Sequence, residues 1–229
     1  KSIEASRRAS DVVAGDVQCR ALDVDANAMR ITGNTPDDIV SGGVSDGQIA
    51  GVSRLWISAP GENLGAGYIY SVPTTGVVGV GSAAISSFGT PIVAGDEGAF
   101  IGFFPIGDHD LDGDGQWDLA IDALGIGPMY IYSAPDDSLH ALADADFTLS
   151  PDLSGHWLAP TRTGDVNDDG YDDLGVVDPL GEASSVATAI ESGGPTLTSG
   201  VFGTNAAIRL LGSLGITPAA ATDSGERLL

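Results

Sequence analysis

Two short stretches carry the chemistry of this sequence: DLDGDGQWD, Asp110 to Asp118, and DVNDDGYDD, Asp165 to Asp173. Each has an oxygen-bearing side chain at positions 1, 3, 5 and 9, glycine at position 6, and leucine immediately after. In the first these are Asp110, Asp112, Asp114 and Asp118, with Gly115; in the second, Asp165, Asn167, Asp169 and Asp173, with Gly170. Oxygens that alternate along a turning backbone can converge on one point, and glycine permits the bend that brings them there. Position 7, Gln116 or Tyr171, would add its main-chain carbonyl. Hard oxygen donors in this number suit Ca²⁺, whereas Mg²⁺ keeps more of its water. Charge argues the same way. Carboxylates ~4 Å apart repel by roughly 4 kcal/mol per pair at an effective dielectric of about 20, so a folded loop holding several of them wants a cation. About two calcium sites are therefore expected.

An EF-hand would need a bidentate acid at position 12 and flanking helices. Position 12 is Ile121 in one stretch and Val176 in the other, inside apparent strands, which excludes that reading. Nine residues before Leu55 lies a third, degenerate copy, DGQIAGVSR. It keeps Asp46 and Gly51 but has Gln48, Ala50 and Arg54 at positions 3, 5 and 9, so it predicts a dead loop whose charge Arg54 supplies internally. Asp23, Asp25 and Asn27 form a still weaker set, with Ala28 where glycine is required.

The elements that would position these loops repeat. YIYSxP occurs at Tyr68–Pro73 and at Tyr130–Pro135, and upstream of each lies an apolar run, LWISAP from Leu55 and LAIDAL from Leu119. A third run, LGVVDP, starts at Leu174, and a phenylalanine follows each run at Phe88, Phe147 and Phe202. The runs are short, β-branched or aromatic, and bounded by Gly, Pro, Asp and Ser, as strands are. Composition agrees. Of 32 acids 26 are Asp, there is a single lysine, and 33 residues are glycine, which favours turns and strands over helix surface. Ser138–Ala145 has room for a turn or two of helix at most. The predicted class is all-β, with units of ~55–64 residues and about four antiparallel strands each, the size of a β-propeller blade.

The loop followed by its strand, as in GDVNDDGYDDLGVVDP and DLDGDGQWDLAIDA, resembles the FG-GAP repeat of integrin α-subunit-like β-propellers. Phe88-Gly89 and Phe202-Gly203 keep the FG, and Ser58-Ala59-Pro60 approximates the GAP. The likeness spans roughly residues 44–205. It implies four-stranded blades with calcium in the loop between the first two strands, and a secreted or cell-surface protein engaged in adhesion or recognition of a protein or glycan. Complete propellers of that family usually have seven blades. At ~60 residues per blade this chain supplies a partial propeller of three to four blades. The expected division is 1–45 as a degenerate remnant, 46–109 as a blade with the dead loop, 110–164 as a calcium blade, and 165–229 as a second calcium blade and the start of the next. An open propeller leaves strand edges unpaired. The remaining blades would come from a longer parent chain or a second chain, unless the ring closes small.

Other classes are disfavoured. A formal charge of −23 offers no basic patch for nucleic acid or anionic membranes. The longest apolar segment, Ala206–Ala221, is interrupted by Arg209, glycines and Pro218, so no membrane insertion is expected. Cys19 is the one cysteine and forms no internal disulfide. Gly43-Val44-Ser45-Asp46-Gly47 matches a nucleophile elbow, but that motif needs a following helix and the next residues read as a strand. The histidines show no metal spacing; His109 is expected on a loop surface and His156, with Trp157, in blade packing. A non-catalytic, calcium-stabilised recognition module is the leading reading. A scaffold propeller of a secreted hydrolase or lyase, its catalytic part in sequence not present here, is the alternative.

Overall fold

A computed structural model describes residues 29–35, 37–39, 43–74, 81–87, 89–180, 186–195, 198–202 and 206–211. Cys19, the Asp23–Asn27 set, Phe88, Gly203 and the C-terminal segment from 212 lie outside the described residues.

The described chain is all-β, as its composition predicts. After β1 (Met29–Thr32), a first four-stranded antiparallel meander runs through β2 (Val44–Ile49), β3 (Val52–Ala59), β4 (Tyr68–Pro73) and β6 (Thr90–Ala94), with β5 (Gly81–Ala84) set before its last strand. A second meander consists of β7 (Ile106–His109), β8 (Asp118–Asp122), β9 (Met129–Tyr132) and β11 (Phe147–Ser150), with β10 (His140–Ala141) before the last strand. The third is β12 (Ala159–Gly164), β13 (Asp173–Val177), β14 (Val186–Glu191) and β16 (Ala206–Leu211), with β15 (Gly200–Val201) in the same place. Both YIYS segments are third strands. Each acidic loop lies inside a sheet, joining its first strand to its second. The stretch Glu62–Gly65 is a turn rather than a helix, since Asn63 and Leu64 sit at φ 53° and 60°. Ser138–Ala145 contains β10 and a single 3₁₀ turn at Leu142–Asp144.

The three inserted strands share a task. Two of them pair in parallel with the outer strand of the sheet before, β10 with β6 and β15 with β11, and β5 pairs in the same way with β1, the strand ahead of the first sheet. Every unit thus hooks onto its predecessor, and the sheets stack face to face. Alternation along β8 shows the stacking. Leu119 and Ile121 pack toward the first sheet with Trp56, Ile69 and Ile92, while Ala120 faces the third with Leu158, Leu174 and Val176. A central sheet buried on both faces produces the unbroken apolar runs seen in the sequence. Phe202 closes the second of these cores and is 2% exposed.

The first strands of the sheets converge. Ser45 Oγ on β2 accepts the Gly107 N–H of β7 at 3.0 Å and an Arg162 guanidinium N–H of β12 at 3.1 Å. Arg162 also pairs with Asp108 at 3.0 Å. Ser45 is therefore a buried strand residue with no helix after it, and the elbow motif is not one. Trp56, fully buried, fills the space left by Gly47 and Gly107. A Cβ at Gly107 would fall 1.9 Å from its ring. Ser58 and Asp122, equivalent residues of β3 and β8, clip the chain arriving at the first strand. Ser58 Oγ accepts the Gly43 N–H at 2.7 Å, and Asp122 Oδ1 the Phe104 N–H at 2.8 Å. Among the described residues no helix is long and apolar enough to cross a membrane.

Gly107→Ala should therefore lower stability by about 1–3 kcal/mol or more through overpacking. Gly200→Ala, where nothing stands within 4 Å, should stay within ~0.5 kcal/mol. Urea unfolding of the two variants checks the difference.

Candidate metal centre

β7 and β12 each end at the mouth of an acidic loop, and the two loops are built alike. Position 1 accepts the N–H of position 6: Asp110 from Gly115 at 2.9 Å, Asp165 from Gly170 at 2.9 Å. Position 3 accepts the N–H of position 5: Asp112 from Asp114 at 3.0 Å, Asn167 from Asp169 at 2.9 Å. Position 5 accepts the N–H of position 7: Asp114 from Gln116 at 2.7 Å, Asp169 from Tyr171 at 3.0 Å. These bonds curl the backbone around its own acids. Two positions need left-handed backbone, not one. Position 6 has φ +84° at Gly115 and +92° at Gly170, and position 4 has +81° at Gly113 and +61° at Asp168. The requirement at position 4 was hidden, because Asp tolerates that region better than most residues.

Position 9 differs from the others in being buried. Asp118 Oδ2 accepts the Leu111 N–H at 2.7 Å, and its Oδ1 accepts the Ala134 N–H at 3.1 Å. Asp173 repeats this with Val166 at 2.8 Å and Gly193 at 3.1 Å. Ala134 and Gly193 each stand two residues beyond a third strand, so the closing aspartate ties the loop to the far side of its own sheet.

Asp110, Asp112 and Asp118 each offer an oxygen within 4.8 Å of the others. Among the described residues they are the one such group of three or more His, Cys, Asp or Glu. Asp114 is exposed and turned to Gln116, whose side-chain amide it accepts at 3.3 Å. In the second loop Asp165, Asp169 and the amide Asn167 are exposed, and only Asp173 is buried. The first loop thus has its carboxylates gathered, while the second has the same fold with one charge fewer at position 3. Ser133 Oγ hydrogen bonds to Asp112 Oδ2, a contact that the oxygen spacing did not reveal.

Burial dominates the electrostatics of Asp118 and pushes its pKa up to about 7. The N–H groups of Leu111 and Ala134 pull it down, and the charges of Asp112 and Asp110 raise it again. Burial likewise raises Asp122 to about 6, against the N–H of Phe104. A buried acid beside two other carboxylates is a group whose charged form gains from a divalent cation.

The degenerate copy is not a loop. Ala50 and Gly51, at φ 49° and 77°, form a two-residue turn of the kind that closes tight hairpins. Asp46 lies within β2 opposite Leu55. Arg54 does not serve Asp46; it pairs across to Asp137 of the second unit at 3.5 Å, while its Nε is buried without a partner. One histidine also differs from expectation. His109 is buried, its Nδ1 3.0 Å from Asp108 and its Nε2 accepting the Gly164 N–H at 3.4 Å, because the converging first strands enclose it. His156 pairs with buried Asp178 at 2.6 Å, and the adjacent Trp157 stacks on Phe104 with centroids 6.0 Å apart. No family model matches the chain, and no curated protein matches it.

Asp118 keeps its proton in the folded state up to about pH 7, whereas the unfolded chain releases it near 3.8. Without cations, stability should therefore fall as pH rises through that window and level off above it. Asp118→Asn should flatten this slope, leaving the smaller fall due to Asp122; urea unfolding at several pH values measures it. Arg54→Ala should cost less than about 1 kcal/mol, since its partner is largely exposed, and should change no ion stoichiometry.

Proposed function

We propose that the chain is a calcium-stabilised, non-catalytic recognition module, built as consecutive blades of a partial β-propeller and working outside the cell. One observation carries the reading. Two loops in successive sheets, at the same first-to-second-strand junction, fold their acids by the same set of hydrogen bonds, and one of them gathers three carboxylates within 4.8 Å. Asp110, Asp112, Asp114 and Asp118, with the Gln116 carbonyl, would hold one ion. Asp165, Asn167, Asp169 and Asp173, with the Tyr171 carbonyl, would hold the other. Face-to-face stacking of four-stranded meanders, with first strands converging and outer strands hooked, supports propeller blades. The FG-GAP resemblance agrees with that placement of the loops.

Calcium would act structurally. It neutralises the acids and fixes the start of β8 and β13, and by binding only the folded chain it stabilises that state through mass action. Extracellular modules of this type bind at ~10⁻⁴–10⁻³ M, which suits a calcium-rich exterior. The partner would be a protein or a glycan.

Calcium at millimolar levels should raise the melting temperature and a chelator should lower it, by several degrees for a domain of this size. Asp114→Ala should remove most of one loop's share. Asp168→Asn, at an outward position where asparagine keeps the left-handed backbone, should remove almost none. Equal losses in calorimetric melts would contradict the ligand assignment.

A further inference from the structure

The two acidic loops touch. Asp172, position 8 of the second loop, accepts the main-chain N–H of Asp110 through its carboxylate at 3.1 Å, and its own N–H donates to the Asp110 carbonyl at 3.3 Å. The Gly194 N–H donates to the Leu111 carbonyl at 2.6 Å. The Tyr171 ring lies over Gly113, where a Cβ would fall 2.2 Å from it. The second loop therefore holds the first by both main-chain groups of Asp110 and by a ring on its left-handed glycine. The first loop has Trp117 at the position of Asp172, and the hairpin before it has no acidic loop to hold.

We infer that the loops are one mechanical unit in which Asp172 is a positioning residue, carrying order from the loop at 165–173 to the loop at 110–118. The main chain of Asp110 sets where its carboxylate points, and that carboxylate binds the Gly113 and Gly115 N–H groups that close the first loop. Freeing Asp110 from Asp172 loosens the first link of that chain of bonds. Its consequence for cations rests on the function proposed above: two ions should bind with positive coupling, because ordering either loop favours the other.

Amide hydrogen exchange in the cation-free protein tests the coupling without any metal. Asp172→Ala should speed exchange at residues 113–116 about tenfold or more, as expected for loss of a hydrogen bond to a charged acceptor, and leave the remote β3–β4 pair unchanged. Asp172→Asn, whose amide oxygen can accept the same N–H, should restore slow exchange. Tyr171→Leu uncovers Gly113 but keeps every hydrogen bond, and serves as the milder probe if the alanine variant does not fold; it should speed the same amides. Unchanged exchange in these variants, or a uniform rise over the whole chain, would overturn the inference. Calcium titration then separates the two ideas. Two ions bound with coupling in the wild type and independently in Asp172→Ala support both; two independent ions in the wild type overturn the coupling alone. No bound ion overturns the proposed function and leaves the exchange result to decide the coupling.

Discussion

A buried carboxylate with both oxygens committed to main-chain N–H groups is what the architecture around each loop depends on. Asp118 and Asp173 take one hydrogen bond from the second residue of their loop and one from beyond the third strand of their sheet. That arrangement fixes where the second strand starts, how the loop closes, and where the third strand turns away. It also sets a cost. A charged group has been taken out of water, and in the first loop two more carboxylates have been brought against it. Main-chain N–H groups offset part of the desolvation, but the raised pKa of Asp118 shows that they do not offset all of it. The proposed calcium ion answers that deficit, which is why the loops and the fold are best understood together.

The sheets are joined by three different devices. Apolar side chains fill the spaces between stacked faces. The first strands meet around Ser45, Gly107 and Arg162. The outer strands are latched by short parallel segments, each supplied by the following unit. Parallel pairs only two to four residues long contribute little alone, but they fix the spacing of sheets whose cores then pack in one register. Hydrophobic burial supplies the stability, and the polar contacts choose the arrangement.

Much of this was legible in the sequence. Apolar runs from Leu55, Leu119 and Leu174 became second strands, and the YIYS segments became third strands. Glycine at position 6 marked the turn of each acidic loop. What escaped has physical reasons. The hook strands are too short to carry a period. Arg54 looked like an internal counter-charge because Asp46 is near in sequence, yet the tight hairpin carries Asp46 along β2 and leaves Arg54 nearer Asp137. His109, beside Asp110, reads as a loop-surface residue; convergence of the first strands, a long-range feature, buries it. Nothing in its residue type or spacing marks Asp172, whose carboxylate and N–H meet the main chain of Asp110 in the loop of another sheet.

The most direct measurement is an anomalous difference map from a crystal grown in calcium. A peak is expected in each acidic loop, with oxygen ligands at about 2.3–2.6 Å, and none at the Ala50–Gly51 hairpin. Loops folded as described but without density for an ion, at calcium well above millimolar, would contradict the calcium assignment.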